Sequence, residues 1–133
     1  GTALNHAQIA LTSAQILAMN VAIELIAAPG ANKTIVVNQV LFTMIRTATA
    51  YASGGAVTIG YDAGTVQALD STFASTVVTG ASGTVCSMRN PAVISDAATT
   101  INKNLAIINA TGAFTTGTGT ALVDVWYTIN ATV

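Results

Sequence analysis

The pattern of apolar and polar positions is most informative between Val21 and Ile45, VAIELIAAPGANKTIVVNQVLFTMI, which reads as a strand, a tight turn and a longer strand. In the first arm Val21, Ile23 and Leu25 alternate with Ala22, Glu24 and Ile26, the period of two expected when one face of a strand meets a core. Pro29-Gly30 closes the turn of this opening hairpin: proline presets the negative φ of the first central residue and glycine accepts the positive φ of the next. The second arm places Val36, Val40, Phe42 and Met44 on one face and Ile35, Val37, Leu41 and Ile45 on the other. A strand apolar on both sides is expected to be covered on both sides, by core on one and by a second layer or another subunit on the other.

The same pattern predicts the remaining elements. Residues 1–12 form an extended arm or edge strand, and Thr12-Ser13-Ala14-Gln15 has the form of a capping box that opens a short helix through Met19. Ile16, Leu17 and Met19 seat this helix on a sheet, and Asn20 is placed to end it in a left-handed conformation. Val57, Ile59 and Tyr61 alternate with Thr58 and Gly60 as a strand, and residues 65–69 and Thr84 to Met88 form two more. Ser71 to Val78 is ambiguous between a helical turn and extended chain, and Asn90-Pro91 turns toward a short strand at Val93. Leu105, Ile107 and Asn109 define the next strand, Gly112 to Thr120 is a turn region, and Ala121 to Ile129 is the last strand. In that strand Val123, Val125, Tyr127 and Ile129 face inward and Leu122, Asp124, Trp126 and Thr128 outward. About eight short antiparallel strands with Gly, Pro and Asn turns between them, plus one short N-terminal helix, predict an all-β, single-domain β-sandwich or jelly roll over residues 13–133, preceded by the arm 1–12.

Composition narrows the function. Of 133 residues only 7% are charged, against about 25% in ordinary soluble domains. The polar surface is therefore made of Thr, Ser, Asn and Gln, which suits a surface that ends up against another protein. The basic residues Lys33, Arg46, Arg89 and Lys103 form no stripe, so no nucleic-acid partner is expected. No run of about 18 apolar residues occurs, so no membrane span is expected. The N-terminus has no basic region of the signal-peptide kind, and a start at Gly1 fits removal of an initiator methionine.

No catalytic constellation stands out. His6 is the only histidine and is read as solvated; Cys86 is the only cysteine and is read as a small buried residue. Glu24, Asp62, Asp70, Asp96 and Asp124 come from separate elements, and the glycines of 112–119 accompany no Walker lysine. No enzyme, cofactor or metal is expected. The outward Trp126 is the most informative single residue, because Trp is enriched at the centres of protein interfaces; cover by an N-terminal arm or a loop of the same chain is the competing reading. Trp126, Leu122, Ile9 and Leu11 are the candidate contact residues.

Several segments resemble a known family. Leu11-Thr12-Ser13-Ala14-Gln15-Ile16-Leu17-Ala18, Leu25-Ile26-Ala27-Ala28-Pro29-Gly30-Ala31 and Ile35-Val36-Val37 are similar to segments of small proteins encoded beside the major capsid protein of tailed bacteriophages. So are Ala50-Tyr51 before Gly54-Gly55-Ala56-Val57, Asn104-Leu105-Ala106, Gly117-Thr118-Gly119-Thr120 and Val123-Asp124-Val125-Trp126-Tyr127, while residues 79–98 depart from the pattern. The resemblance implies a capsid decoration, or cement, protein: a β-sandwich or jelly roll, made in the bacterial host cytoplasm, that assembles as a homotrimer on the outer capsid surface of the virion. Its expected partner is the major capsid protein, whose shell it stabilises. The alternative is a receptor-binding or carbohydrate-binding module of a head or tail fibre, with exposed Tyr51, Tyr61 or Trp126 near Asp62 or Asp124 stacking on a sugar.

Overall fold

The computed structural model describes residues 4–62, 66–68, 73–80, 85–89, 101–109 and 111–131, with the backbone alone for 66–68 and 85–89. The described elements are β1 (Asn5–Leu11), α1 (Ser13–Leu17), β2 (Ile23–Ile26), β3 (Lys33–Ile45), β4 (Ala52–Ser53), β5 (Val57–Asp62), β6 (Val66–Ala68), α2 (Thr76–Thr79), β7 (Val85–Arg89), β8 (Leu105–Asn109), β9 (Phe114–Thr115) and β10 (Thr120–Ala131). The front sheet has the order β1-β10-β3-β7 and the back sheet β2-β8-β5-β6; β4 and β9 pair as a small separate ribbon. Every ladder is antiparallel.

Setting the two-residue β4 and β9 aside, the front sheet takes the first, eighth, third and sixth strands and the back sheet the second, seventh, fourth and fifth. This is a jelly roll, one long antiparallel hairpin rolled up so that successive pairs fall on alternate sheets. Pairs β1·β10, β2·β8, β3·β7 and β5·β6 are the rungs of that hairpin, and the ladders β10·β3 and β8·β5 seal the roll.

The expected opening hairpin does not form. β2 pairs with β8 and β3 with β10 and β7, so Ala27–Asn32 steps from the back sheet to the front one. Sheets in a sandwich lie about 10 Å apart, a gap that six residues of chain span easily. The turn also sits later than Pro29-Gly30. Lys33 N–H donates to the Gly30 carbonyl at 3.2 Å, which puts Ala31 and Asn32 at its centre, and Asn32 takes the positive φ of 61°. The link is anchored sideways, Gly30 N–H donating to Asn102 Oδ1 at 2.9 Å and Asn102 N–H to the Lys33 carbonyl at 2.7 Å.

The described residues of this chain cover β3 on one face, and no second layer of them lies on the other. The ladder with β10 runs through twelve residue pairs and slips once, Trp126 facing Gln39 and Tyr127 facing Val37, so that Asn38 is an extra residue. A bulge of this kind switches which parity points inward. Ile35 and Val37 enter the core before it, and Val40, Phe42 and Met44 after it, while Val36 and Ile45 stay 42% and 46% exposed. A second slip on β2, with Glu24 facing Ala106 and Ile26 facing Leu105, lets the consecutive Leu25 and Ile26 both be buried.

α1 begins as expected. Gln15 N–H donates to Thr12 Oγ1 at 3.2 Å and Thr12 N–H to Gln15 Oε1 at 2.9 Å, and Ile16 and Met19 are fully buried. The helix closes at Ala18, with φ of −98°, and Asn20 is not left-handed. The ambiguous segment before residue 80 resolves into both options: Phe73 bridges Val57 as extended chain and α2 follows, burying Val77 and Val78. The turn region 112–120 holds β9, whose Phe114 packs edge-on to Tyr51 with ring centroids 6.4 Å apart. A Cβ at Gly54, where φ is +73°, would overlap the Phe114 ring, and one at Gly117 would overlap the Tyr51 ring. Asn90, Pro91 and Val93 lie outside the described residues, as do Asp70, Asp96 and the Cys86 side chain.

Two buried tyrosines tie separate parts of the sandwich. The Tyr61 hydroxyl on β5 donates to the Ile35 carbonyl on β3, crossing from back sheet to front, and the Tyr51 hydroxyl donates to the Gly119 carbonyl just before β10. Burial raises both phenols above the ordinary value of 10.0. Above that value the unfolded chain loses these protons while the native one keeps them, so stability falls with rising pH.

Two predictions follow from this architecture. Deleting Asn38 forces one half of β3 to turn its exposed residues inward and should abolish the sharp urea transition, whereas Asn38→Ala should shift stability by no more than about 0.5 kcal/mol. Tyr61→Phe should lower stability by about 0.5–1.5 kcal/mol at neutral pH and flatten its decline above pH 10, measured as urea midpoints across an alkaline series; an unchanged alkaline slope would refute the linkage.

Candidate functional site

The outer face of the front sheet holds the most distinctive side-chain chemistry described. β1 alternates exposed His6, Gln8 and Ala10 with half-buried Ala7 and Ile9 and buried Leu11. Its register sets His6 against Trp126, Gln8 against Asp124 and Ala10 against Leu122. Directly opposed residues in an antiparallel pair have their Cβ atoms about 5 Å apart, so these side chains meet.

They meet in a defined arrangement. The His6 ring stacks on Trp126, centroids 4.7 Å apart and planes 15° from parallel. His6 Nε2 lies 2.8 Å from Asp124 Oδ1, and Gln8 Nε2 donates to the same oxygen at 3.1 Å. A carboxylate accepts, so the imidazole proton sits on Nε2. Asp124 points to the outside of the sheet and yet is only 7% exposed, with the His6 and Gln8 side chains of the neighbouring strand set against it. Two donors satisfy its charge in place of water, which is the condition for burying a carboxylate. The His6 side chain is 46% exposed, so solvent screens that end of the contact. His6, expected to be solvated, instead bridges the two most unusual residues of β10.

Around this cluster the face mixes apolar and neutral polar side chains, Gln39 facing Trp126 and Thr43 facing Leu122. Leu122 and Leu41 flank Asp124 on either side, with Ile45 toward one end and Val36 toward the other. On the outer face of β1, β10 and β3, His6 and Asp124 are the only ionisable residues, read from the register.

The four candidate contact residues divide in two. Trp126 and Leu122 are half-buried on the outer face. Ile9 pairs with Val123 and Leu11 with Ala121 on the inward side, where Ile9 packs against the core and Leu11, 1% exposed, belongs to it. Leu11 therefore has no surface to offer a partner. Tyr51 and Tyr61, 3% and 5% exposed, are structural rather than available to a sugar. Asn109, one of the glycosylation-type sequons in the chain, is also buried, its side chain accepting from Gly55 N–H and donating to the Gly112 carbonyl. His6, Gln8 and Asp124 acquire their roles only through register, although the alternation of polar 6 and 8 with apolar 7, 9 and 11 was visible in the sequence. Among the described residues no group of three or more His, Cys, Asp or Glu is placed to hold a metal ion, and no helix is long and apolar enough to cross a membrane.

No family model and no curated protein matches the chain. Solved structures do. A chain of the acidic stable capsid structure of Helicobacter pylori bacteriophage KHP30 is similar at 16% identity with a TM-score of 0.57, covering 94% of this chain and 86% of that one. A chain of the cyanophage Pam1 capsid asymmetric unit is similar at 18% identity with a TM-score of 0.55, covering 96% and 84%. At such identities the likeness is one of fold: this jelly roll is an architecture also present in phage capsid structures.

The His6–Trp126 contact is open to a direct measurement. A double-mutant cycle of His6→Ala and Trp126→Ala, read by urea unfolding, should give a coupling of about 0.5–1.5 kcal/mol; additive effects would mean that the stack stabilises nothing.

Proposed function

We propose that this is a structural virion protein that binds the outer surface of an assembled phage capsid and stabilises it, acting as a homotrimer on the major capsid protein. The observation that carries the reading is the jelly-roll likeness to chains of two phage capsid structures over more than nine-tenths of this chain. Two features support it. The chain is 7% charged, and depletion of charge marks the cores of protein interfaces. The outer face of the front sheet joins Trp126 and Leu122 to Leu41, Val36 and Ile45 with the single carboxylate already satisfied, so covering that face strands no bare charge.

The mechanism is burial multiplied by valency. A trimer that touches several capsid subunits gains from each further contact at high effective concentration, because after the first contact the rest are intramolecular. A shell under outward pressure is then held by many modest contacts in place of a few strong ones.

The test is co-sedimentation with expanded, undecorated phage heads, with the free protein's mass taken by light scattering. Saturable binding by a trimer, weakened at least about tenfold by Trp126→Ala as expected of a central aromatic anchor, supports the proposal. A trimer that ignores heads overturns it and directs attention to tail components and glycans. Unchanged trimerisation and head binding in Trp126→Ala would remove Trp126 from the contact.

A further inference from the structure

We infer that β1 is a releasable strap, a segment that opens from the front sheet as a unit about a hinge at Thr12 and uncovers Trp126, Asp124 and the edge of β10 while the rest of the jelly roll stays folded. The inference is independent of the capsid reading.

Four observations carry it. First, among the described residues β1 is at the edge of the sheet and has one strand neighbour, β10, which keeps its long ladder to β3 when β1 leaves. Second, its attachment to the core is graded: Leu11 at the hinge end is fully buried, Ile9 and Ala7 are half-buried, and Leu4, Asn5 and His6 are exposed. An opening that starts at residue 4 therefore meets little apolar resistance until it reaches Leu11. Third, the hinge is locally self-sufficient. Thr12 caps α1 with its own side chain, Gln15 reaches back to the Thr12 N–H, and Ile16 N–H donates to the Thr12 carbonyl at 3.0 Å. The helix thus stays capped whether or not the preceding strand is docked.

Fourth, beyond its ladder to β10 and the half-buried Ala7, the far end of β1 is held by side-chain contacts on the outer face. His6 on Trp126, and His6 and Gln8 on Asp124, are among these fastenings. Release opens the Asp124 oxygen that His6 and Gln8 occupy, on the outer face of the sheet, to hydrogen bonds from water. Elements with few buried apolar contacts and solvent-facing fastenings open below the global unfolding free energy.

Native-state hydrogen exchange on the full chain, read by peptide mass, tests this directly. The expected result is that β1 amides exchange faster than those of β3, with α1 retaining its own protection. His6→Ala should speed β1 exchange further by a factor of about 2 to 10, the worth of one aromatic stack, and leave β3 unchanged. Trp126 is the only tryptophan, so acrylamide quenching of its fluorescence reports the same opening without peptide resolution, and quenching should rise in both His6→Ala and Gln8→Ala. Protection of β1 equal to that of β3, or loss of α1 protection together with β1, would overturn the inference.

Discussion

The rest of the structure depends on the single extra residue in the β3 ladder. A thirteen-residue strand that lies in one sheet of a sandwich has to keep one face on the core along its whole length, and the apolar pattern of β3 changes parity part-way. Asn38 absorbs the change. With it, Ile35 and Val37 join Val40, Phe42 and Met44 in one core, and the Ile35 carbonyl comes within reach of the Tyr61 hydroxyl from the opposite sheet. The position of β10 follows from the same ladder, and the placement of β1, His6 and Gln8 follows from β10.

The outer face that results has an unusual electrostatic character. Its one described acid is nearly buried and accepts hydrogen bonds from a histidine and a glutamine of the neighbouring strand, and its one tryptophan has a ring laid across it. Leu122 and Leu41 lie beside the acid, and Gln39 faces the tryptophan across the ladder. The described residues on this face of β1, β10 and β3 bring no unpartnered carboxylate to it.

Much of the fold was legible in the sequence, and the exceptions have physical causes. Alternation located β5, β8 and β10 closely because each keeps its parity, and the Thr12–Gln15 capping box is a local signature that tertiary context did not disturb. β3 misled because a bulge makes a one-sided strand look two-sided; its exposed Val36 and Ile45 and its buried core residues come from both parities. Pro29-Gly30 suggested a hairpin because turn residues announce a change of direction without saying which sheet comes next. The link is long enough to change sheets, and Asn102, seventy-two residues away from Gly30, holds it there. At the outer face Trp126 was recognisable by type, with cover by the N-terminal arm or a loop as the competing reading, and that arm does lie against it. Asp124 gained its significance only from the β1 register, which no local pattern contains. Leu11 and Ile9 were assigned to a contact surface by hydrophobicity alone, and parity sends them inward.

The rolled-hairpin topology also governs the order in which the molecule can come into being. Among the described residues β1 has no strand partner except β10, and β3 has β10 on one side, so the front sheet cannot close until β10 has been synthesised. The pairing of Asn5 with Tyr127 joins positions almost a full chain length apart, and contacts of such separation make folding slow, on the order of milliseconds to seconds. During that interval the apolar half of β3 waits without its principal neighbour. The sparse surface charge offers little protection against association with other nascent chains. Closure of the front sheet therefore waits for β10, exposed to competition from other copies in a way that a protein built from sequential hairpins would avoid.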